Sequence, residues 1–256
     1  MIDVHAHLME PEFDSDRDEV IKACMKELVA VINCSAHWQE LVRSLTLSRR
    51  FSNFIFTTAS IHPIYVPELS EEAEDNFFRL VEENEHEIYG IGETGLDYPV
   101  EENVKRRQKD LFLKHIQLAI KLRKPLIVHA RNAFKDALEI LQQYGVKDVV
   151  IHFFTARELL GKVIENGWYI SVNTSLLRSK KIRKIVRDMP IENILTETDC
   201  PWLDPKGGRN TPLSIKLIVE EIGRIKRMEV KEVDEITTKN AIKLFQLGKK
   251  INKLND

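Results

Sequence analysis

Met1-Ile2-Asp3-Val4-His5-Ala6-His7 opens the chain, an apolar run that carries a polar side chain at every second position from Asp3 onward. The pattern predicts a β-strand, and period two places Asp3, His5 and His7 on one face of it. A soluble protein has no structural need to stack two imidazoles at the end of its first strand. Metal binding supplies one, because two neutral imidazoles on one edge can share a cation. The stretch therefore poses a question to the rest of the chain, which is where the other ligands are.

Working outward, short apolar runs recur at Val29–Cys34, Phe54–Ala59, Glu87–Gly92, Pro125–Val128, Val149–Ile151, Trp168–Val172 and Asn193–Thr196. Helical patterns separate them: Arg17–Leu28, Trp38–Arg50, a Ser70-capped segment through Phe77, Phe78 and Val81, Val104–Leu122, Ala133–Tyr144, a segment opened by the capping box Thr155-Ala156-Arg157-Glu158, and Lys181–Arg187. Two more close the chain, Leu213–Lys226 and Glu235–Leu247, the second with Thr237 or Thr238 as its cap. With the opening stretch this makes eight strands, each followed by a helix. The strands are continuous apolar runs, as expected where both faces are covered. In 256 residues the count predicts an α/β fold of the (β/α)8 TIM-barrel type, one domain over 1–256. A doubly wound open sheet is the rival, and it needs no eighth strand.

Hydrophobic residues make up 43% and charged residues 30%, with a formal net charge of -2. That balance excludes binding to nucleic acid by overall charge, so any such contact is local. No run reaches membrane length and no signal-peptide pattern is present, so no membrane association is expected, and no obligate protein partner is indicated. Cys24, Cys34 and Cys200 lack CxxC spacing and read as reduced thiols of a cytoplasmic protein.

Barrel catalysis sits just past the C-terminal ends of strands, and the informative polar residues fall there. His5 and His7 end the first strand, His62 follows the third, Glu93 the fourth, His129 the fifth, His152 the sixth and Asp199 the eighth. Of the other histidines, His37 belongs to the mouth or to the turn that opens the second helix. His86 and His115 lie in charged helical stretches and are expected to be solvated. His5, His7, His129, His152, Glu93 and Asp199 exceed what one tetrahedral zinc needs and fit two divalent ions sharing a carboxylate. Mixed nitrogen and oxygen donors suit zinc or manganese better than magnesium. Arg131 and Arg209 each offer a bidentate fork to a phosphate, with His62 donating to the same group; equally, Arg131 can salt-bridge inside the mouth and Arg209, a charged residue in a mouth loop, can be structural. Tyr98 and Trp202 can stack on a base or cover the rim. Cys200, without cysteine partners, reads as packing, and the Lys105-Arg106-Arg107 and Lys180–Arg187 clusters as solvated faces.

The ordered set is specific. Asp3-x-His5-x-His7, Ile61-His62-Pro63, Gly92-Glu93-Thr94-Gly95-Leu96-Asp97-Tyr98, His129-Ala130-Arg131, His152-Phe153-Phe154, Glu197-Thr198-Asp199-Cys200-Pro201-Trp202-Leu203 and Thr238-x-Asn240-Ala241-x-x-Leu244-Phe245 resemble the TatD family of metal-dependent hydrolases, within the amidohydrolase superfamily, over essentially the whole chain. The resemblance implies one ion on His5, His7, Glu93 and Asp199 and a second on Glu93, His129 and His152, with Glu93 as the bridge. It implies Asp199 as the residue that orients or deprotonates water, and two divalent ions (Zn, Mn or Mg) as cofactors. Asp3, Asp97 and Glu197 are placed to hold imidazoles in one tautomer or to satisfy loop donors. The implied activity is a deoxyribonuclease, a 3′→5′ exonuclease on single-stranded or frayed DNA ends, associated with DNA repair or degradation. The same ligands serve a metal-dependent ester or amide hydrolase such as an aminoacyl-tRNA deacylase, and a non-catalytic nucleic-acid-binding barrel is the third reading. One departure bears on substrate shape. The family often has a small residue and glycine after His-x-Phe, whereas this chain reads Phe153-Phe154-Thr155-Ala156-Arg157, which is bulkier and more charged.

Overall fold

Eight parallel strands follow one another around a single sheet: β1 (Ile2–Ala6), β2 (Ala30–Ser35), β3 (Ile55–Ala59), β4 (Ile88–Asp97), β5 (Leu126–Arg131), β6 (Val149–Ile151), β7 (Tyr169–Val172) and β8 (Ile194–Thr196). A helix follows each: α1 (Arg17–Glu27), α2 (Leu41–Arg50), α3 (Glu71–Glu83), α4 (Glu102–Leu122), α5 (Phe134–Gln143), α6 (Leu160–Glu165), α7 (Lys180–Asp188) and α8 (Ile215–Lys226), with α9 (Val230–Leu244) after them. This is the (β/α)8 barrel that the run pattern predicts. It is seen in a computed structural model that describes residues 1–248, 250 and 251; the remainder of the 1–256 range expected for the domain lies outside the described residues.

Inside the lower barrel, Ile2, Val4, Ile32, Phe56, Ile127, Val150 and Leu195 pack together and are closed from below by Leu244 and Phe245. Burying each large side chain there stabilises the fold by about 1.5–3 kcal/mol. Alternate strand residues face the helices in a second apolar layer. The upper layer of the interior is polar.

β1 does not keep period two. Asp3 pairs with Val31 but Ala6 with Asn33, so β1 spends one more residue than β2 over that interval. The extra residue is a β-bulge. Ile2 and Val4 face the interior core, and Asp3 faces the helix-side layer with Val31. Past the bulge, His5 and His7 both turn to the interior. The expectation that Asp3 shares their face is corrected on this ground. Asp3 instead stitches β1 to the β8 end: Oδ1 accepts the His5 N–H (3.1 Å) and the Thr198 N–H (3.0 Å), and Oδ2 accepts the Thr198 hydroxyl (2.5 Å). The seam is completed by Thr196 Oγ1 donating to the Ile2 carbonyl (2.9 Å) and by Asp199 N–H donating to the His5 carbonyl (2.9 Å).

β4 is bulged as well, since Ile91 pairs with Leu126 and Thr94 with Val128. Gly92 and Gly95 flank Glu93 at φ +149° and +144°. A Cβ on Gly95 would lie 2.1 Å from the His129 carbonyl oxygen, and one on Gly92 would lie 2.5 Å from that of Ile127. Only glycine permits both the dihedral and the close approach to β5.

The buried face of α4 carries Leu111, Phe112, Ile116 and Ala119 at helical spacing, together with two polar residues, Gln108 and His115. Both pin backbone that presents site residues. Gln108 accepts the Asp97 N–H (3.0 Å) and donates to the Pro63 carbonyl (3.2 Å). His115 Nε2 accepts the Ile61 N–H (3.1 Å) and Nδ1 donates to the Leu111 carbonyl (2.8 Å). His115 is 0% exposed, which corrects its reading as a surface residue, whereas His86 is solvated as expected. The charges around His115 in sequence lie on the other side of the helix. Two helix starts also differ. α6 begins at Leu160 after a single 3-10 turn (Arg157–Leu159), with no capping side chain at Thr155. α9 begins at Val230, and Thr237 sits inside it with its hydroxyl bonded back to the Val233 carbonyl (2.9 Å).

Replacing Gly95 with Ala is expected to cost at least about 3 kcal/mol, because the new methyl meets backbone and not a movable side chain; urea unfolding within 1 kcal/mol (roughly the error of such comparisons) of the parent would contradict this. His115 supplies a pH signature. Burial lowers its pKa from 6.5 to about 4, so the folded state resists a proton that the unfolded chain takes up below pH 6.5, and stability falls as pH drops through that window. His115→Gln removes the titration, so the cost of the substitution should shrink by about 2 kcal/mol between pH 7.5 and pH 5. A cost that does not vary with pH would show His115 to be free of this constraint.

Candidate metal centre

The upper layer of the barrel gathers imidazoles around one carboxylate. Glu93 Oε1 lies 2.7 Å from His129 Nδ1, 3.5 Å from His152 Nε2 and 3.6 Å from His62 Nε2. Its other oxygen, Oε2, lies 3.2 Å from His5 Nε2 and 3.8 Å from His7 Nε2. The carboxylate is buried, and each oxygen serves a different group of rings. Asp199 closes the His5–His7 side, with Oδ1 3.4 Å from His7 Nε2 and 3.8 Å from His5 Nε2, while Oδ2 is 3.9 Å from His152 Nε2. Asp199 holds φ +57°, an uncommon angle for a residue with a side chain, and this turns its carboxylate into the mouth.

His5 Nε2 and His7 Nε2 point at the same spot, 3.0 Å apart. Lone pairs converging at that distance suit a cation between them. The bonds behind the other rings leave lone pairs free in the same way. His129 donates its Nε2–H to Asp97 Oδ2 (2.9 Å), which leaves Nδ1 toward Glu93. His152 donates its Nδ1–H to Glu197 Oε2 (2.8 Å), which leaves Nε2 toward the centre. Such carboxylate–imidazole pairs fix the tautomer and raise ligand basicity. Asp97 is held in turn by the Arg131 guanidinium (2.8–3.0 Å), and Glu197 accepts from Asn173 Nδ2 (3.2 Å) and from the Phe153 N–H (3.3 Å).

Electrostatics point the same way. Burial pushes the Glu93 carboxyl up, but the charges of His152, His62 and His5 and the bond from His129 outweigh it and hold the group well below the usual carboxylate range. Burial pushes His152 down, but Glu197, Glu93 and Asp199 reverse that and raise it to about 10. His5 and His62, with less net anionic company, are lowered chiefly by burial. The centre therefore demands positive charge at a place lined by nitrogen and carboxylate oxygen, a donor set that fits borderline divalent cations. The clustered side chains form a site suited to a pair of them.

Most of the expected residues come together here: His5, His7, Glu93, His129, His152 and Asp199 directly, and Asp97 and Glu197 one bond behind. His62, expected as a phosphate contact, stands among the possible ligands beside Glu93 and His129. Asp3 reaches His5 only through its main-chain N–H. Arg131 is engaged with Asp97 and is 66% exposed at the rim. Arg209 is not gathered in. Its fork closes on Asp16 (2.6 and 2.7 Å) and on the Glu12 carbonyl, stacked over Phe13, so it anchors the loop after β8 to the segment before α1. Trp202 lies edge-on to His7 at 4.9 Å, and Tyr98 donates to Asp136 away from the centre. Cys200 is packed and buried, and His37 accepts the Gln39 N–H in the turn before α2. Three residues were missed. Cys34 lies beside His5, His7 and Glu93, its thiol held protonated by burial; Ser60 donates to the Glu93 carbonyl (2.6 Å); Asn173 supports Glu197. Asn173 and Cys34 obey the same strand-end rule as the ligands, which was the available signal.

Comparison with known proteins agrees with this centre. The family model described as TatD related DNase matches residues 2–246. A metal-dependent hydrolase of Methanocaldococcus jannaschii is 36% identical over 247 residues, covering 96% of each chain. The Homo sapiens deoxyribonuclease TATDN3 is 33% identical over 258 residues, covering 96% of this chain and 94% of its own. Among solved structures, the TatD homolog YJJV of Escherichia coli superposes with a TM-score of 0.89 at 22% identity, covering 96% of this chain and 98% of that one, which speaks to the fold. With the match spanning nearly the whole barrel and the imidazoles drawn up around Glu93, the chain belongs to the TatD family of metal-dependent hydrolases.

Proposed function

We propose that this hydrolase cleaves phosphodiester bonds of DNA, removing nucleotides in the 3′→5′ direction from single-stranded or frayed ends, in a reducing, cytoplasmic setting that suits its three buried thiols. One observation carries the reading: Glu93 presents one oxygen to His5 and His7 and the other to His129, His152 and His62, the arrangement of a carboxylate shared between two cations. His5, His7, Glu93, His129, His152 and Asp199 are the residues that would hold a pair of divalent cations, which would supply Lewis acidity and acidify a water.

The chain's own groups do the rest. Asp199 is ionised at neutral pH, because its neighbours His152, His7 and His5 outweigh the effect of burial, and it is the more open of the two central carboxylates. It is placed to take the proton of the attacking water at Oδ2 and to keep that water oriented. His62 accepts the Ile64 N–H at Nδ1 (3.2 Å), so its neutral form carries the proton on Nε2, on the side facing the centre. That N–H can donate to a non-bridging phosphate oxygen as negative charge builds there. Arg131 neutralises Asp97 and brings a permanent cation to the rim. A polyanionic substrate profits from that cation, whereas a small uncharged ester or amide does not.

Chelation should abolish cleavage of a labelled single strand, and Mn²⁺ or Zn²⁺ should restore it. Strands labelled at 3′ and 5′ ends, run beside RNA and charged tRNA, report substrate and direction together; cleavage of charged tRNA alone would hand the site to ester chemistry. Glu93→Ala should lower the bound metal below two ions per chain and reduce kcat by about 10²–10³-fold or more. Full activity in that variant would remove Glu93 from the bridging position. Asp97→Asn should weaken metal binding about 10–100-fold through His129 while leaving the fold intact, and calorimetric titration with Zn²⁺ checks it; unchanged affinity would show that the His129–Asp97 bond does not tune the ligand.

A further inference from the structure

The departure after His152 has a structural counterpart. Between the β5–α5 and β6–α6 connections the barrel mouth continues into a cavity of about 580 Å³, with His129 and His152 of the metal centre forming its inner wall. That volume is in the range of sites for single small molecules, and too small for a duplex. Phe153 lines it at φ +44°, its N–H tied to Glu197, which turns the ring out of the strand direction and leaves it half-buried with one side toward the cavity. Phe134 lines the same space, held edge-on against Phe154 at 5.3 Å. Lys135 at the start of α5 and Lys181 at the start of α7 complete the wall with Arg131. Both lysines are exposed, and among the described residues neither ammonium group has an ion-pair or hydrogen-bond partner, whereas Lys109, Lys114, Lys121 and Lys216 elsewhere on the helices are each paired with a carboxylate. Glu158 is the one acid among the cavity's lining residues, and Arg131 is already paired with Asp97 behind the wall, so the two lysines carry the cavity's unpaired positive charge.

We propose that this cavity is the subsite for the nucleotide adjoining the scissile phosphate of a single strand, with Phe153 under its base and Lys135 and Lys181 on the phosphates that follow. The assignment rests on the phosphodiesterase reading above and adds to it which part of the polymer goes where. Base stacking on an aromatic ring tolerates every base, since each has a π face. Two lysines on flexible stems grip a phosphate chain without fixing its sequence, and they supply local positive charge that a chain of net charge -2 does not supply globally. A strand passing from the metal centre into the cavity must be unpaired, because the inner wall admits one nucleotide and no partner base. The site therefore selects single strands by shape and charge without reading sequence. Ala156 and Thr155, in the bulkier segment that departs from the family pattern, also line the cavity.

Binding is read by fluorescence anisotropy on the metal-loaded protein, using a 5′-fluorescein eight-nucleotide DNA strand with a phosphorothioate backbone, at several salt concentrations. Lys135→Gln with Lys181→Gln should raise Kd by about tenfold or more and reduce the slope of log Kd against log salt by about 1.4, the value for two lost phosphate contacts on a single strand. Phe153→Leu, which keeps apolar bulk without a ring, should weaken binding about tenfold, and Phe153→Trp should restore it. Lys239→Gln on α9 should match the parent. Equal Kd and equal salt slope in the double lysine variant and the parent would refute the subsite. If the parent binds with the lysine-dependent slope yet leaves the ordinary phosphodiester strand uncut, the subsite stands and the hydrolysis reading falls.

Discussion

The position of Glu93 is the constraint on which the rest of the site depends. Four strands bring imidazoles to the barrel mouth, but only a carboxylate at the axis can serve both groups of rings at once. It reaches the axis because β4 bulges and lies almost on top of β5, and that approach is possible because Gly92 and Gly95 have no side chains. The motif Gly92-Glu93-Thr94-Gly95 is thus one structural unit, with a charge in the middle and the clearance for it on either side. The cost of burying that charge is met locally by five imidazoles, and the demand for cationic charge that results is the property a metal centre uses.

Behind this centre, tautomers are set by acids that never reach the mouth. Glu197 fixes His152 through Nδ1 and Asp97 fixes His129 through Nε2, so the two rings present different nitrogens to Glu93. Each acid is anchored again: Asp97 by Arg131, and by Gln108 through its backbone, and Glu197 by Asn173 and the Phe153 N–H. Gln108 and His115 come from α4, so one long helix on the outside fixes both the strand end bearing Asp97 and the loop bearing His62. A rigid helix is a better support for such contacts than a loop would be.

Much of this was legible in the sequence, and the failures have physical causes. Eight apolar runs separated by amphipathic segments point to the barrel because parallel strands covered on both faces read as continuous apolar runs and an open sheet needs no eighth one. The ligands were legible because chemistry collects at one end of the strands. Period two failed at Asp3, since a bulge is a register event between two strands and leaves no mark in the alternation of either alone. Charge density misled at His115, because a helix with lysine and aspartate around its circumference still has one face against the barrel, and that face is set by i, i+3 and i+4 spacing. Following that spacing from Leu111 and Phe112 would have placed His115 and Ile116 inside. Arg209 followed the strand-end logic and still went elsewhere, because Asp16, almost two hundred residues earlier, offers a carboxylate that sequence distance conceals.

The two rims of the mouth differ in what they offer a substrate. On the β1–β3 side stand Glu10 and Glu40, near the cluster of Trp38, His37 and Tyr65; burial raises both carboxyls, helped by Glu12 at Glu10 and by Glu10 at Glu40. A polyanion approaching from there meets carboxylates first. On the β5–β7 side Arg131, Lys135 and Lys181 face the opening over an aromatic floor. On the phosphodiesterase reading proposed above, a single strand with its scissile phosphate at the metal centre would have one favourable direction in which to lay its remaining length. Polarity of cleavage then becomes a question of which chemical end of the strand lies toward the lysines. On that reading the barrel would impose a direction in space, and the connectivity of the sugar–phosphate chain would convert it into 3′→5′ or its reverse.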